Sequence, residues 1–259
     1  MLLLAIDTST SAITVAVHDG SSVLAESSTI DARRHGEHLA PGITEVLSEA
    51  GRSAADVTAV VCGLGPGPFT GLRVGLVTAR TFAFARGIPA LGVCSLDALA
   101  HQAWREGAVV GAVAGNVAGA VGGGFVVATD ARRKEVYWAR YDVTEQGVVR
   151  TTEPAVSAPA DVAAQLDGAP VVGRGGLLYP EVLPGRVGPL DVSAGHLADL
   201  AARLLAAGAD LSDVEPLYLR RPDAVPTAER LQAAEGVPAA GRAQADGRAQ
   251  AAERVQVDR

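Results

Sequence analysis

The sequence predicts an α/β protein of two lobes, each a mixed sheet with helices, and three observations carry that expectation. Up to Arg105, short β-branched runs alternate with periodic apolar stretches in the order βββαβαβα, an antiparallel meander that continues into parallel crossovers. The same opening, two strands around a tight turn, recurs from Phe125 onward. Of 259 residues, 48% are hydrophobic and only 4% aromatic, so there is mass for a sizeable core and it must be built from Ala, Val and Leu.

Each element has a local cause. Leu2–Ile6 is a short apolar run suited to a buried strand, Ser11–His18 is rich in Ile, Thr and Val, and Asp19-Gly20 turns the chain back into a third strand at Val23–Ile30. From His35 to Ala50, Leu39, Ile43, Val46 and Leu47 recur three or four apart and predict a helix that stops at Gly51. A strand at Val57–Cys62 runs into Gly63-Leu64-Gly65-Pro66-Gly67-Pro68, and a second helix is expected over Phe69–Arg86, closed by Gly87. A strand at Ala90–Val93 and a helix capped by Ser95 complete the first lobe, residues 1–105. Residues 106–124 form a Gly/Ala-rich stretch without Leu or Ile, too weakly hydrophobic for a membrane span and expected to be an insertion between lobes. The second lobe, 125–226, should hold strands at Phe125–Thr129, Glu135–Tyr141, Val148–Arg150 and Pro170–Gly173, with helices near Ala160–Leu166 and Ala194–Ala207. Beyond it, 227–259 turns to Ala, Gln, Arg, Glu and Gly without an aromatic, the composition of a disordered tail.

Composition excludes several functions. Lys134 is the sole lysine, so no Gly-Lys-Ser/Thr phosphate loop exists. A net charge of −7 is a poor fit to unaided nucleic-acid binding, which draws its affinity from neutralising phosphates. Two cysteines, Cys62 and Cys94, make neither a disulfide framework nor a four-sulfur zinc site, and the N-terminus lacks the basic region of a signal peptide, so a cytoplasmic address is expected. His35 and His38 share a helix face without a third ligand pattern, which reads as a solvated first turn.

Two segments are candidate sites. Asp7-Thr8-Ser9-Thr10 ends the first strand, where a carboxylate, hydroxyls and free turn amides suit either a phosphate- or magnesium-facing loop or a turn that satisfies its own amides. The Gly-Pro-Gly-Pro-Phe-Thr-Gly connection could present amides to an anion; the preferred reading is a tight turn with Thr70 as helix cap and glycines for close packing. Behind it, Leu72, Leu76, Ala79 and Ala83 form one apolar strip and Val74, Val77 and Phe82 another, so the helix must bury a second face against something else. With Phe69 and with Leu39, Ile43 and Leu47 of the first helix, the strip of Leu72, Leu76, Ala79 and Ala83 makes up the expected partner interface.

The Asp7-Thr8-Ser9-Thr10 opening resembles the first phosphate motif of the actin, Hsp70 and sugar-kinase (ASKHA, ribonuclease H-like) superfamily. Gly65–Gly75, Gly92–Ala100 and Asp130–Tyr137 are more specific and resemble the TsaB (YeaZ) family over about residues 1–225. That resemblance implies two actin-like lobes and a non-catalytic subunit with no cofactor or metal of its own. It implies a heterodimer with a TsaD homologue and docking of a TsaE homologue. It further implies a homodimer when isolated, tRNA reached only through the complex, and no membrane. The supported reaction would place a threonylcarbamoyl group on N6 of adenosine 37 in tRNAs reading codons that begin with A. Ser9 replaces the usual glycine of the phosphate loop, and Gly173-Arg174-Gly175-Gly176 lacks the acid of a second one, so Asp7–Thr10 reads as a degenerate phosphate loop. Arg33, Arg34, Arg132 and Arg133 are local basic clusters that could touch tRNA. The alternatives are a self-sufficient ATP-dependent phosphotransferase of the same superfamily and, further off, a zinc peptidase.

Overall fold

The computed structural model describes residues 1–31, 34–109 and 123–220. Most of the predicted insertion and the whole predicted tail lie outside the described residues, as does Arg33. The described chain up to Arg220 is one compact unit.

Strands β1 (Leu3–Asp7), β2 (Ala12–His18), β3 (Val23–Ile30), β4 (Ala59–Gly63) and β5 (Ala90–Val93) form a sheet of order β3-β2-β1-β4-β5. β1, β2 and β3 are antiparallel neighbours; β4 and β5 add in parallel, as the crossover pattern required. Helices α1 (His35–Glu49), α2 (Phe69–Arg86) and α3 (Ser95–Arg105) fill the connections. Gly51 and Gly87 terminate α1 and α2 in left-handed conformation, where no Cβ opposes the turn.

The second sheet repeats the plan. Its strands are β6 (Gly124–Asp130), β7 (Val136–Thr144), β8 (Gly147–Arg150), β9 (Ala155–Ser157), β10 (Val171–Val172) and β11 (Arg186–Val187). They run β8-β7-β6-β10-β11, with β9 also on β7. β6, β7 and β8 are antiparallel and β10 and β11 parallel, so strand order and sense match the first sheet. Short helices α4 (Pro159–Ala163) and α5 (Arg174–Leu178) belong here, and α6 (Ala194–Ala206) follows. β9, α5 and β11 have five residues or fewer and left no periodic signal in the sequence.

β1 shows why its run is apolar throughout. Leu2, Leu4 and Ile6 point into a core with Leu39, Ile43 and Val46 of α1 and Leu76 and Ala79 of α2. Leu3 and Ala5, on the other face, join a core with α3 and α6. That second core also takes in Phe125, Val127 and Tyr141 of the other sheet, so α3 and α6 are wedged between the sheets and share apolar surface with both. The expected division at residue 105 therefore follows the chain but not the packing: α6 comes from the second half and lies on the first sheet. Asp199 of α6 tightens this junction, taking a 2.7 Å hydrogen bond from His101 and lying 3.4 Å from Arg105 of α3.

A core shared by both sheets predicts one unfolding transition. Trp104 reports from α3 and Trp138 from β7, so single-tryptophan variants should unfold in urea with coincident midpoints. Leu197→Ala, which empties a fully buried position of α6, should lower stability by about 2–5 kcal/mol and shift both midpoints together.

Candidate functional site

Asp7 sits at the C-terminal end of β1 and is fully buried. Ser9 donates from both its N–H and its hydroxyl to Asp7 Oδ1, each at 2.8 Å. Ser95 donates its hydroxyl to Oδ2 at 2.6 Å and accepts the Gly65 N–H at 3.0 Å. Ser95 was expected to cap α3; instead Cys94 occupies the cap position without a side-chain bond, and the Ser95 hydroxyl is drawn to the buried carboxylate. Burial pushes the Asp7 carboxyl above its ordinary value, the bonds from Ser95 and Ser9 oppose that rise, and the nearby charge of Asp191 adds to it.

The next residue locks α2 against the same turn. The Thr8 hydroxyl donates to the Gly71 carbonyl at 2.7 Å and accepts from the Gly75 N–H at 2.9 Å. It therefore stands between two groups that pair across one turn of an ordinary α-helix. Such proximity demands glycine. A Cβ at Gly75 would lie 2.4 Å from Thr8 Oγ1, one at Gly67 2.5 Å from the Ser9 carbonyl oxygen, and one at Gly63 1.8 Å from Asp7 Oδ2. The Gly-Pro-Gly-Pro loop thus packs directly on Asp7–Ser9. Thr70 does not cap the helix: Pro68 holds the cap position and makes no side-chain bond, because it has no donor or acceptor to offer.

The lobes meet beside this turn. Arg174 grips Asp191 through Nε and Nη2 at 2.6–3.0 Å, and Asp191 also accepts the Ser11 N–H at 3.2 Å. The space these residues enclose with Thr10, Thr129 and Asp130 is about 10 Å³, room for a water and little else. A larger cleft of about 200 Å³ opens next to it, lined by Thr8, Thr10, His35, Phe69, Thr70 and Arg132. His35, expected in a solvated turn, is buried at this wall because its ring packs against Gly71 at the start of α2, and burial lowers its pKa. Among the described residues no three His, Cys, Asp or Glu side chains stand together as a metal site would require. Burial pushes the thiols of Cys62 and Cys94 up to about 12, which leaves both protonated and unreactive at neutral pH.

The expected interface residues divide sharply. Leu39, Ile43, Leu47, Leu72, Leu76, Ala79 and Ala83 are all buried in the chain's own core, and of that set only Phe69 is exposed. α2 does carry a second apolar face, formed by Phe69, Val77 and Phe84, which are 39%, 58% and 89% exposed. Phe82, placed on that face by the sequence reading, turns partly into the core instead. Periodicity revealed two faces of the helix but not which of them the sheet would cover. Arg73 and Tyr218 belong to the exposed face as well, and neither was singled out from sequence: Arg73 stacks 3.9 Å above the Phe69 ring, and Tyr218 arrives from 145 residues away.

A family model described as "TsaD: tRNA N6-adenosine threonylcarbamoyltransferase" matches residues 23–253. The tRNA threonylcarbamoyladenosine biosynthesis protein TsaB of Escherichia coli K12 is 33% identical over 233 residues, covering 85% of this chain and 95% of that protein. The chain belongs to the TsaB (YeaZ) family. An uncharacterised protein of Mycobacterium tuberculosis H37Rv is 44% identical over 236 residues, covering 87% of this chain and 95% of its own length. Among solved structures, YeaZ from Pseudomonas aeruginosa superposes with a TM-score of 0.66 at 34% identity, covering 84% of this chain and 99% of that one. Within this TsaB-type fold, the Asp7 turn is closed by Ser9, Ser95 and α2.

Two measurements check this packing. Above the ordinary pKa of an aspartate, the folded chain binds the Asp7 proton more tightly than the unfolded chain, so Asp7's contribution to stability falls as pH rises through the window between the two values. Asp7→Asn has no such titration, and its urea midpoint relative to the parent should rise across that window; a constant difference would mean that the hydrogen bonds cancel the effect of burial. Gly75→Ala should destabilise by about 1–3 kcal/mol despite alanine's better helix propensity. Gly36→Ala, where a Cβ meets nothing within 4 Å, should be neutral or mildly stabilising.

Proposed function

We propose that this chain is a non-catalytic scaffold subunit in tRNA threonylcarbamoyladenosine biosynthesis. In this reading it pairs with a TsaD-type catalytic subunit, and a TsaE-type ATPase docks on the pair. The supported reaction moves a threonylcarbamoyl group from its adenylate to N6 of adenosine 37 in tRNAs that read codons beginning with A. The chain works in the cytoplasm, forms a homodimer when isolated, and reaches tRNA through its partner.

The observation that carries the reading is the closure of Asp7. Both carboxylate oxygens are engaged by protein donors, and the turn's outer side is covered by the glycine loop and the first turns of α2. A magnesium–phosphate group needs those oxygens or the amides around them, so a self-sufficient phosphotransferase is the poorer fit. Family membership with TsaB of E. coli supports the pathway, and the exposed apolar face of α2 supports a role built on surface. The net charge of −7 agrees with assisting a tRNA enzyme more than with gripping tRNA directly.

Calorimetric titration of the isolated chain with Mg·ATP is expected to show no saturation below about 1 mM. Co-expression with the TsaD homologue of the same organism should yield a stoichiometric pair, with threonylcarbamoyl transfer dependent on both chains. Submillimolar binding with turnover by this chain alone would overturn the reading.

A further inference from the structure

The exposed face of α2 is apolar at its edges and cationic in its middle. At about 100° per residue, Phe69, Arg73, Val77, Arg80 and Phe84 fall within an arc of about 80°, so they present one stripe. α2 carries Arg73, Arg80 and Arg86 and no acidic residue along its length. Arg86 is occupied by the carbonyls of Ala54 and Ala55, and Arg80 lies 3.9 Å from Glu215. Arg73 has a different setting. Its guanidinium stacks on the Phe69 ring at 3.9 Å and lies 5.8 Å from the Tyr218 ring. Its Nε–H donates to the Tyr218 hydroxyl at 2.8 Å, and the two rings brace each other with centroids 5.3 Å apart.

This arrangement fixes the plane of the guanidinium and commits its inner edge. No acceptor among the described residues is recorded for Nη1 or Nη2, so the outer edge of the fork is left to solvent. A surface arginine with no further task would be mobile; this one is held by two aromatics, one of them delivered by the segment after α6. That segment is itself tied down, with the Leu217 N–H on the Leu64 carbonyl and Arg220 on the Ala131 carbonyl.

We propose that Arg73 is the specificity-determining residue of the docking face on α2 and that it receives a carboxylate from a helix of the partner subunit. The proposal rests on the scaffold reading above and names the chemistry of its partner. Covering this stripe would remove Arg73 from water, and a desolvated cation is tolerated only with an anion in hydrogen-bonding geometry. The matching surface is therefore an apolar helix face with one Asp or Glu opposite the fork. A second copy is a poorer occupant, because two-fold packing would set α2 against α2 and bring cation to cation, and the acid beside the stripe, Glu215, already faces Arg80.

The test uses the full chain and the TsaD homologue of its own organism, with affinity read by calorimetry at two salt concentrations. Arg73→Leu is expected to weaken pairing by at least about 30-fold and to flatten the salt dependence, with Arg73→Lys intermediate. Arg73→Glu should be rescued by exactly the reverse charge, an acid-to-arginine change on a partner docking helix. Val77→Asp and Phe84→Asp serve as controls on exposed positions that cannot unfold the core. If those two leave pairing intact, the α2 face is not the docking surface, and this proposal falls together with that part of the scaffold reading. If they abolish pairing while Arg73→Leu binds like the parent, the carboxylate proposal alone is overturned. If Arg73→Glu dissociates a homodimer in sedimentation but leaves the mixed pair unchanged, the anion comes from a second copy, and the proposal is likewise overturned.

Discussion

A carboxylate placed at the end of a buried strand must find donors, and the Asp7 side chain finds them inside its own lobe. Ser9 supplies two hydrogens to one oxygen and Ser95 supplies one to the other, while the Ser95 hydroxyl is itself held by the Gly65 amide. Three segments of chain, the β1 turn, the β4 loop and the start of α3, are thereby pinned at one point. The glycines of the loop follow from this constraint, since any side chain at Gly63 or Gly67 would collide with the turn. Thr8 extends the same constraint one turn along α2 by occupying the Gly71–Gly75 pair.

Closure on one side leaves a surface on the other. α2 is held by its glycine face and its Leu72–Leu76–Ala79–Ala83 strip, and the described residues leave its remaining face uncovered. Phe84 is almost wholly exposed as a result. A stripe of this kind that no described residue covers is suited to contact, and the cation at its centre restricts what can make that contact. Around Asp199, the wedged helices α3 and α6 hold the two sheets together.

Much of the fold was legible from residues alone. The strand Val23–Ile30, the helix Phe69–Arg86 and the strand Ala90–Val93 have the predicted limits, because apolar period and a following glycine or turn mark both ends. The short strands β9 and β11 were not, since they are held by pairing with other strands and carry no period of their own, and the five-residue α5 is too short to show one. Ser95 suggests a cap because its place at a helix start is visible in sequence; its bond to Asp7, 88 residues away, is not.

By itself the sequence determined the order of the longer strands and helices, the recurring antiparallel opening of each half, the absence of a lysine phosphate loop and the two apolar faces of α2. Local periodicity and composition suffice for these, because each depends on neighbours within a turn or a strand. Only the tertiary structure decided which face of α2 the sheet covers, that Asp7 is sealed, and that Tyr218 meets Arg73 and Phe69. Those outcomes depend on groups 60 to 145 residues apart being brought within hydrogen-bonding distance, as the pairs Thr8–Gly71 and Arg73–Tyr218 are. No local pattern encodes such a meeting, because it is the packing of both sheets around α3 and α6 that brings these segments together.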